Sequence, residues 1–121
     1  MISYSTEFDP SAPVLTVQIS GVVHSHPRVT LPALLDTGSD FTAVPASLVS
    51  RLKLYATRPI LLEDFSGETR EEFLYGVSLA YVNQPVREMQ VMVTGLPFVI
   101  LGRDWLIDYY VLLDGPGQQF Q

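Results

Sequence analysis

Leu34-Leu35-Asp36-Thr37-Gly38-Ser39-Asp40 places two large apolar residues directly before an acid, with small hydroxyl residues and a glycine after it. Apolar residues running into a carboxylate read as the end of a buried strand. Gly38 lets the backbone turn tightly and bring N–H groups close to Asp36. A carboxylate at such a place is held by hydrogen bonds, which is how a chain presents an acid for chemistry. An ordinary turn uses the same residue types, so these few letters do not decide the matter alone. Two phosphate-transfer readings also start from a strand-end Asp. One needs an acid two residues on, where Gly38 stands, and the other needs Lys next, where Thr37 stands.

Working outward, Thr42 follows six residues after Asp36 and leads into Ala43 and Val44. Far along the chain stands a second block, Val99-Ile100-Leu101-Gly102-Arg103-Asp104-Trp105-Leu106. With both blocks in view the chain resembles the retropepsin-like aspartic proteases. Their pattern is two apolar residues, Asp-Thr/Ser-Gly-Ala/Ser, a nearby Thr or Ser, then a distant apolar-apolar-Gly often followed by Arg and Asn or Asp. Leu34 to Asp40 with Thr42 fits the first part and Ile100 to Asp104 the second, and the likeness runs in order from about Val14 to Leu113. The two blocks together are far more specific than either.

Length and composition agree with one globular domain over residues 1–121. Hydrophobic residues make up 47% of the chain, enough for a core without disulfide or metal, and Cys is absent. Seven basic residues against thirteen acidic ones give a net charge of −6, which argues against nucleic acid as a partner. Met1 to Pro10 has neither the basic nor the apolar region of a signal peptide. The longest apolar stretches, such as Leu96 to Leu101, are too short to span a bilayer, so no membrane association and a cytoplasmic location are expected.

Taken in order, Met1 to Phe8 reads as a short edge or interface strand and Asp9-Pro10-Ser11-Ala12-Pro13 as a break. Val14 to Ile19 alternates as a half-buried strand. Val29 to Leu35 is the strand that delivers Asp36, and its Pro32 suggests an edge or a bulge. Phe41 to Val44 is a short strand, and Ala46 to Leu52 is the one clear helix. Ile60 to Glu63 and Thr69 to Tyr75 flank a turn, Val77 to Val82 continues, and Val86 to Val93 returns. Phe98 to Leu101 leads to Gly102, a helical turn follows over Asp104 to Ile107, and Tyr109 to Leu113 is a terminal strand closed by Asp114-Gly115-Pro116-Gly117. Many short strands with one short helix predict an all-β protein, a closed barrel or sandwich of the retropepsin type.

The resemblance implies the chemistry. Two carboxylates share a proton: the ionised one draws a proton from water while its partner donates to the scissile carbonyl. Like charges at contact do not both ionise, and aspartic proteases are the familiar instance. This chain has one such block, because Leu112-Leu113-Asp114-Gly115 lacks the hydroxyl before glycine. The resemblance therefore implies a homodimer, with one Asp36 from each copy. Thr37 would bond across the dimer axis, Gly38 and Ser39 would orient the carboxylates, Arg103 would pair with Asp40, and Ile100-Leu101-Gly102 would pack beneath the Asp36 loop. Asp64-Phe65-Ser66-Gly67 lies where the family has its flap, the hairpin that closes over a peptide substrate. Viral members carry several glycines there; this chain has Gly67 alone, among the acids Glu63, Asp64, Glu68, Glu71 and Glu72. That departure leaves open a rival reading, a binding or assembly module with the same fold and little catalysis. No cofactor is implied. His24 and His26 share one side of a strand if extended, but with no third ligand in view they read as a polar loop rather than a metal site. Trp105 reads as packing.

Overall fold

The computed structural model describes residues 1–23, 27–63, 66–82 and 84–121. Ten strands and two helical turns follow in the order β1 (Ile2–Ser3), β2 (Val14–Gly21), β3 (Val29–Leu35), β4 (Ala43–Pro45), α1 (Leu48–Arg51), β5 (Ala56–Glu63), β6 (Thr69–Tyr81), β7 (Arg87–Thr94), β8 (Val99–Leu101), α2 (Arg103–Leu106), β9 (Leu113–Asp114) and β10 (Gln119–Phe120). The protein is mostly β, as its strand patterning predicts. His24 and His26, and the flap-tip residues Asp64 and Phe65, lie outside the described residues.

Seven strands form one sheet in the order β2-β3-β8-β4-β7-β6-β5, and β2 pairs additionally with β6, so the sheet curls back on itself. Alternation on β2 explains its place. Leu15, Val17 and Ile19 point into the core while Thr16 and Gln18 face outward. Ile19 sits opposite Val29 on β3 and Leu79 on β6, so one strand contributes to two pairings. Val17, Ile19, Ala33, Val77, Val91 and Leu101 are fully buried. Each large apolar side chain taken from water contributes about 1.5–3 kcal/mol, so this shared interior fixes the register of the strands around it.

β3 is not an edge strand, contrary to what Pro32 suggests. It pairs antiparallel with β2 along its length and parallel with β8 from Ala33 to Leu35. The Leu35 N–H donates to Pro13 O at 3.1 Å, so odd-numbered residues of β3 bond toward β2 and even-numbered ones turn the other way. Pro32 therefore directs its missing donor to the side that β8 reaches only at Ala33, and no ladder bond is lost. β6 runs unbroken from Thr69 to Tyr81 through Gly76 and pairs with β5, β7 and β2.

The expected terminal strand also differs. Tyr109 to Leu112 are not strand, and the turn after Asp114 is the tip of a hairpin rather than an end. β10 pairs with β9 on one side and β1 on the other, making a second sheet of order β1-β10-β9. Phe120 is 2% exposed, rests against Tyr4 with ring centres 6.0 Å apart, and fixes this sheet to the core.

Asp114 makes the turn. Its Oδ1 accepts the Gly117 N–H at 2.9 Å and its Oδ2 accepts the Gln119 side-chain amide at 3.2 Å. These two bonds, the Gly117 N–H first, hold its carboxyl below the usual carboxylate range. A depressed folded value stabilises above the unfolded one and is lost as pH falls through the folded one. Protection of the Leu112 and Gln121 amides, measured against the intrinsic exchange rate at each pH, should therefore fall as the parent is acidified below the usual carboxylate range. Asp114→Ala should exchange fast already at neutral pH, and equal exchange in parent and variant would show that the turn does not depend on the carboxylate.

Candidate active site

Asp36 follows β3 directly, and the sheet sets its position. Its N–H donates to Leu101 O on β8 at 3.0 Å. Its backbone carbonyl accepts the Ser39 N–H at 3.2 Å, closing a turn. The Gly38 N–H meets carboxylate Oδ1 at 3.0 Å, so the acid is aimed by the backbone of its own turn. Asp36 is half-buried, whereas Thr37 and Gly38 are exposed at the loop's crest. Ser39 does not touch the carboxylate: its Oγ donates to Phe41 O at 2.7 Å, tightening the far side of the loop.

The second block docks under this loop. A Cβ on Gly102 would stand 2.6 Å from both the carbonyl carbon and oxygen of Phe41 and 2.9 Å from Ser39 O. Backbone atoms on that side have no room to give, so only glycine lets the two segments approach. The Gly102 N–H donates to Thr42 Oγ1 at 3.1 Å, and Thr42 is fully buried. Asp104, from α2, accepts the Thr42 N–H at 3.0 Å on each carboxylate oxygen and the Thr42 hydroxyl on Oδ1 at 2.7 Å. Thr42 thus passes a hydrogen bond from the glycine block through its hydroxyl to an ionisable acceptor, which leaves no buried polar side-chain atom unpaired among the described residues.

Arg103 completes the clamp. Its N–H donates to Ser39 O at 2.8 Å and its Nη1 to Thr37 O at 2.7 Å, while Nη2 pairs with Asp40 Oδ1. Asp40 and Arg103 are both well exposed, so the ion pair itself contributes little. The bond to the Thr37 carbonyl matters more, because it fixes the crest of the loop from across the chain. The Thr37 hydroxyl makes no hydrogen bond among the described residues, and its side chain faces outward.

The structure therefore brings Asp36, Thr37, Gly38, Ser39, Asp40, Thr42, Gly102 and Arg103 into one unit. Of the flap residues, Ser66 and Gly67 are described; Gly67 has φ +85° at the turn joining β5 and β6, a conformation that favours glycine. Two contributors escape a sequence reading. Asp104 belongs to the second block, but nothing in the sequence says that it caps Thr42. Arg87, on β7, donates to Asp104 O at 2.6 Å and Trp105 O at 3.1 Å and pairs with Asp108 at 3.2 Å, tying α2 to the sheet. Among the described residues no group of three or more His, Asp or Glu side chains is placed to hold a metal, and no helix is long and apolar enough to cross a membrane.

The arrangement can hold one carboxylate at a rigid, half-exposed loop crest with an outward hydroxyl beside it. No curated protein matches the chain. Among solved structures, the protease of simian foamy virus (mac) superposes with a TM-score of 0.59 at 16% identity, covering 78% of this chain and 92% of its own. The EIAV protease, solved in complex with the inhibitor HBY-793, gives a TM-score of 0.59 at 27% identity, covering 88% of this chain and 93% of its own. The family described as retroviral aspartyl protease matches residues 10–114, a span that takes in both the Asp36 loop and the block docked beneath it; the chain belongs to that family.

Proposed function

We infer that this protein is an aspartic endopeptidase that works as a homodimer, with Asp36 of each copy forming one half of the site. The observation that carries this reading is the Asp36 carboxylate itself, aimed by the Gly38 N–H on a loop locked from below by Gly102 and Thr42 and from the side by Arg103. Two such carboxylates brought together share one proton. The ionised one takes a proton from water, and the water oxygen attacks the peptide carbonyl. The protonated one donates to the carbonyl oxygen as charge develops there. The resulting diol collapses, a proton passes to the departing nitrogen, and the C–N bond breaks. No covalent intermediate forms.

The remaining residues support this assignment. The free hydroxyl of Thr37, on a backbone already held by Arg103, is available to a second copy of the loop. The β5–β6 hairpin is the lid in this reading, with the Gly67 turn near its tip. Leu61 and Phe73, on opposite strands and two residues out of register, lie diagonally on one face, are 74% and 46% exposed, and give the hairpin an apolar face. The EIAV protease, similar over most of its length, is known in complex with an inhibitor, which is consistent with a ligand-binding cleft in this fold.

Three outcomes are expected. Asp36→Asn should abolish hydrolysis of a peptide library while leaving circular dichroism and thermal unfolding close to the parent; cleavage at the parent rate would refute the role of Asp36. Asp104→Ala strands the buried Thr42 N–H and hydroxyl, at a cost of about 1–3 kcal/mol, and the loosened loop should lower kcat more than it raises KM. An unchanged melting temperature and unchanged kcat would show that the cap is not needed. The third concerns pH. If assembly brings two carboxylates onto one proton, the dimer binds a proton that separated chains at neutral pH do not, so lowering pH favours assembly. The net charge of −6 on each chain acts in the same direction. Sedimentation should find a tighter dimer at mildly acidic pH than at pH 7 to 8, with much of that dependence gone in Asp36→Asn.

A further inference from the structure

The outward face of β2 and β6 carries polar residues that the Asp36 loop does not use. Ser20 lies on the face of β2 that alternates with Ile19, yet it is only 7% exposed. Its hydroxyl makes no hydrogen bond among the described residues. No fully enclosed polar side-chain atom among them lacks a partner, so this hydroxyl opens into a space. That space is a cavity of about 160 Å³ whose lining includes Gln18, Ser20, Arg28, Ser78, Ala80 and Val86.

Register explains why these groups converge. Ser20 stands opposite Ser78, and Gln18 opposite Ala80, in the β2–β6 pairing. Residues two apart on a strand share a face, so both hydroxyls and the Gln18 amide meet on one side of the sheet. The β2–β3 pairing ends at Ile19 and Val29, and the next residue, Arg28, brings its side chain to the same cavity. Arg70, Arg87 and Arg103 each pair with an acid, whereas Arg28 has no acidic partner among the described residues. Ala80 is too short to fill the space.

We propose that this cavity binds the carboxylate of an acidic side chain on a partner polypeptide, as a docking site separate from the Asp36 loop. A guanidinium presents a planar fork of N–H donors that matches the two oxygens of a carboxylate, and hydroxyls and an amide can donate around it. No acid among the described residues lines the cavity. Glu88, opposite Ser78 on β7, stands one strand further out, and its charge favours a singly charged guest over a phosphate dianion. The net charge of −6 opposes an acid only weakly here, because charges more than about 8 Å away are largely screened at physiological salt. The surroundings suit a peptide rather than a free ion. A second cavity, of about 290 Å³, shares Gln18 and Ala80 with the first and is bordered by Val82 and Gln84. Val82 and Val86 are 60% and 65% exposed, so the groove that runs on from the carboxylate pocket offers contacts to apolar side chains. Arg28 precedes β3 and Asp36 follows it. At about 3.3 Å per residue the two lie on the order of 20–25 Å apart, too far for one bound side chain to reach both.

NMR titration of the full chain with a capped tripeptide of one glutamate and two valines tests this. The same peptide with glutamine in place of glutamate, and sodium chloride at equal ionic strength, are the controls. The glutamate peptide should shift the backbone amides of Ser20, Ser78 and Ala80 saturably, and neither control should. Arg28→Gln should weaken binding about tenfold or more, and Ser20→Ala should weaken it less. Asp36→Asn should bind the peptide as the parent does, which separates this site from the cleavage reading. An equal response to both peptides, undiminished binding in Arg28→Gln, or loss of binding in Asp36→Asn would overturn the proposal. Inorganic phosphate filling the pocket where the peptide does not would overturn it as well.

Discussion

Everything about the site depends on one close approach, that of Gly102 to the backbone of Phe41 and Ser39. A side chain at Gly102 would have to occupy space already filled by those carbonyls. With hydrogen there instead, β8 runs straight under the Asp36 loop, Leu101 accepts the Asp36 N–H, and the Gly102 N–H reaches Thr42. The loop is then fixed by backbone groups at three points before any ion pair is counted. Backbone positioning suits a catalytic carboxylate, because hydrogen bonds from fixed N–H groups need no reorganisation as charge moves.

That approach also decides how the rest of the chain is arranged. β8 must lie parallel to β3 to present Gly102 at the end where Asp36 emerges, so the sheet is mixed, with a second parallel pair between β4 and β7. α2 begins at once, and its Asp104 caps Thr42 from below. Arg87 holds the other end of α2 through two carbonyls and Asp108, linking β7 to the segment that leads into the exposed edge at β9.

Much of this was readable from residues. Asp36-Thr37-Gly38 and Ile100-Leu101-Gly102 are short, chemically constrained and in fixed order, and the alternation of Leu15, Val17 and Ile19 against Thr16 and Gln18 marks β2 without ambiguity. The pairing of Arg103 with Asp40 is visible because both flank the motifs. What escaped is what depends on tertiary direction. Pro32 argued for an edge, and only the stagger of β8 shows why a central strand tolerates it. Asp114-Gly115-Pro116-Gly117 reads equally as a terminator or a hairpin turn, and the β10 pairing decides between them. Arg87 bonds to backbone carbonyls, which every residue possesses, so no partner residue in the sequence could announce it.

The central claim is that cleavage requires Asp36 from two copies at once. Mixing the parent with a growing excess of Asp36→Asn chain, at concentrations where chains exchange, tests it most directly. If each site needs two intact acids, mixed dimers are inactive and activity per parent chain falls steeply as the variant is added. Activity per parent chain that stays constant across the series would mean that a single copy carries a complete site, and would contradict the account.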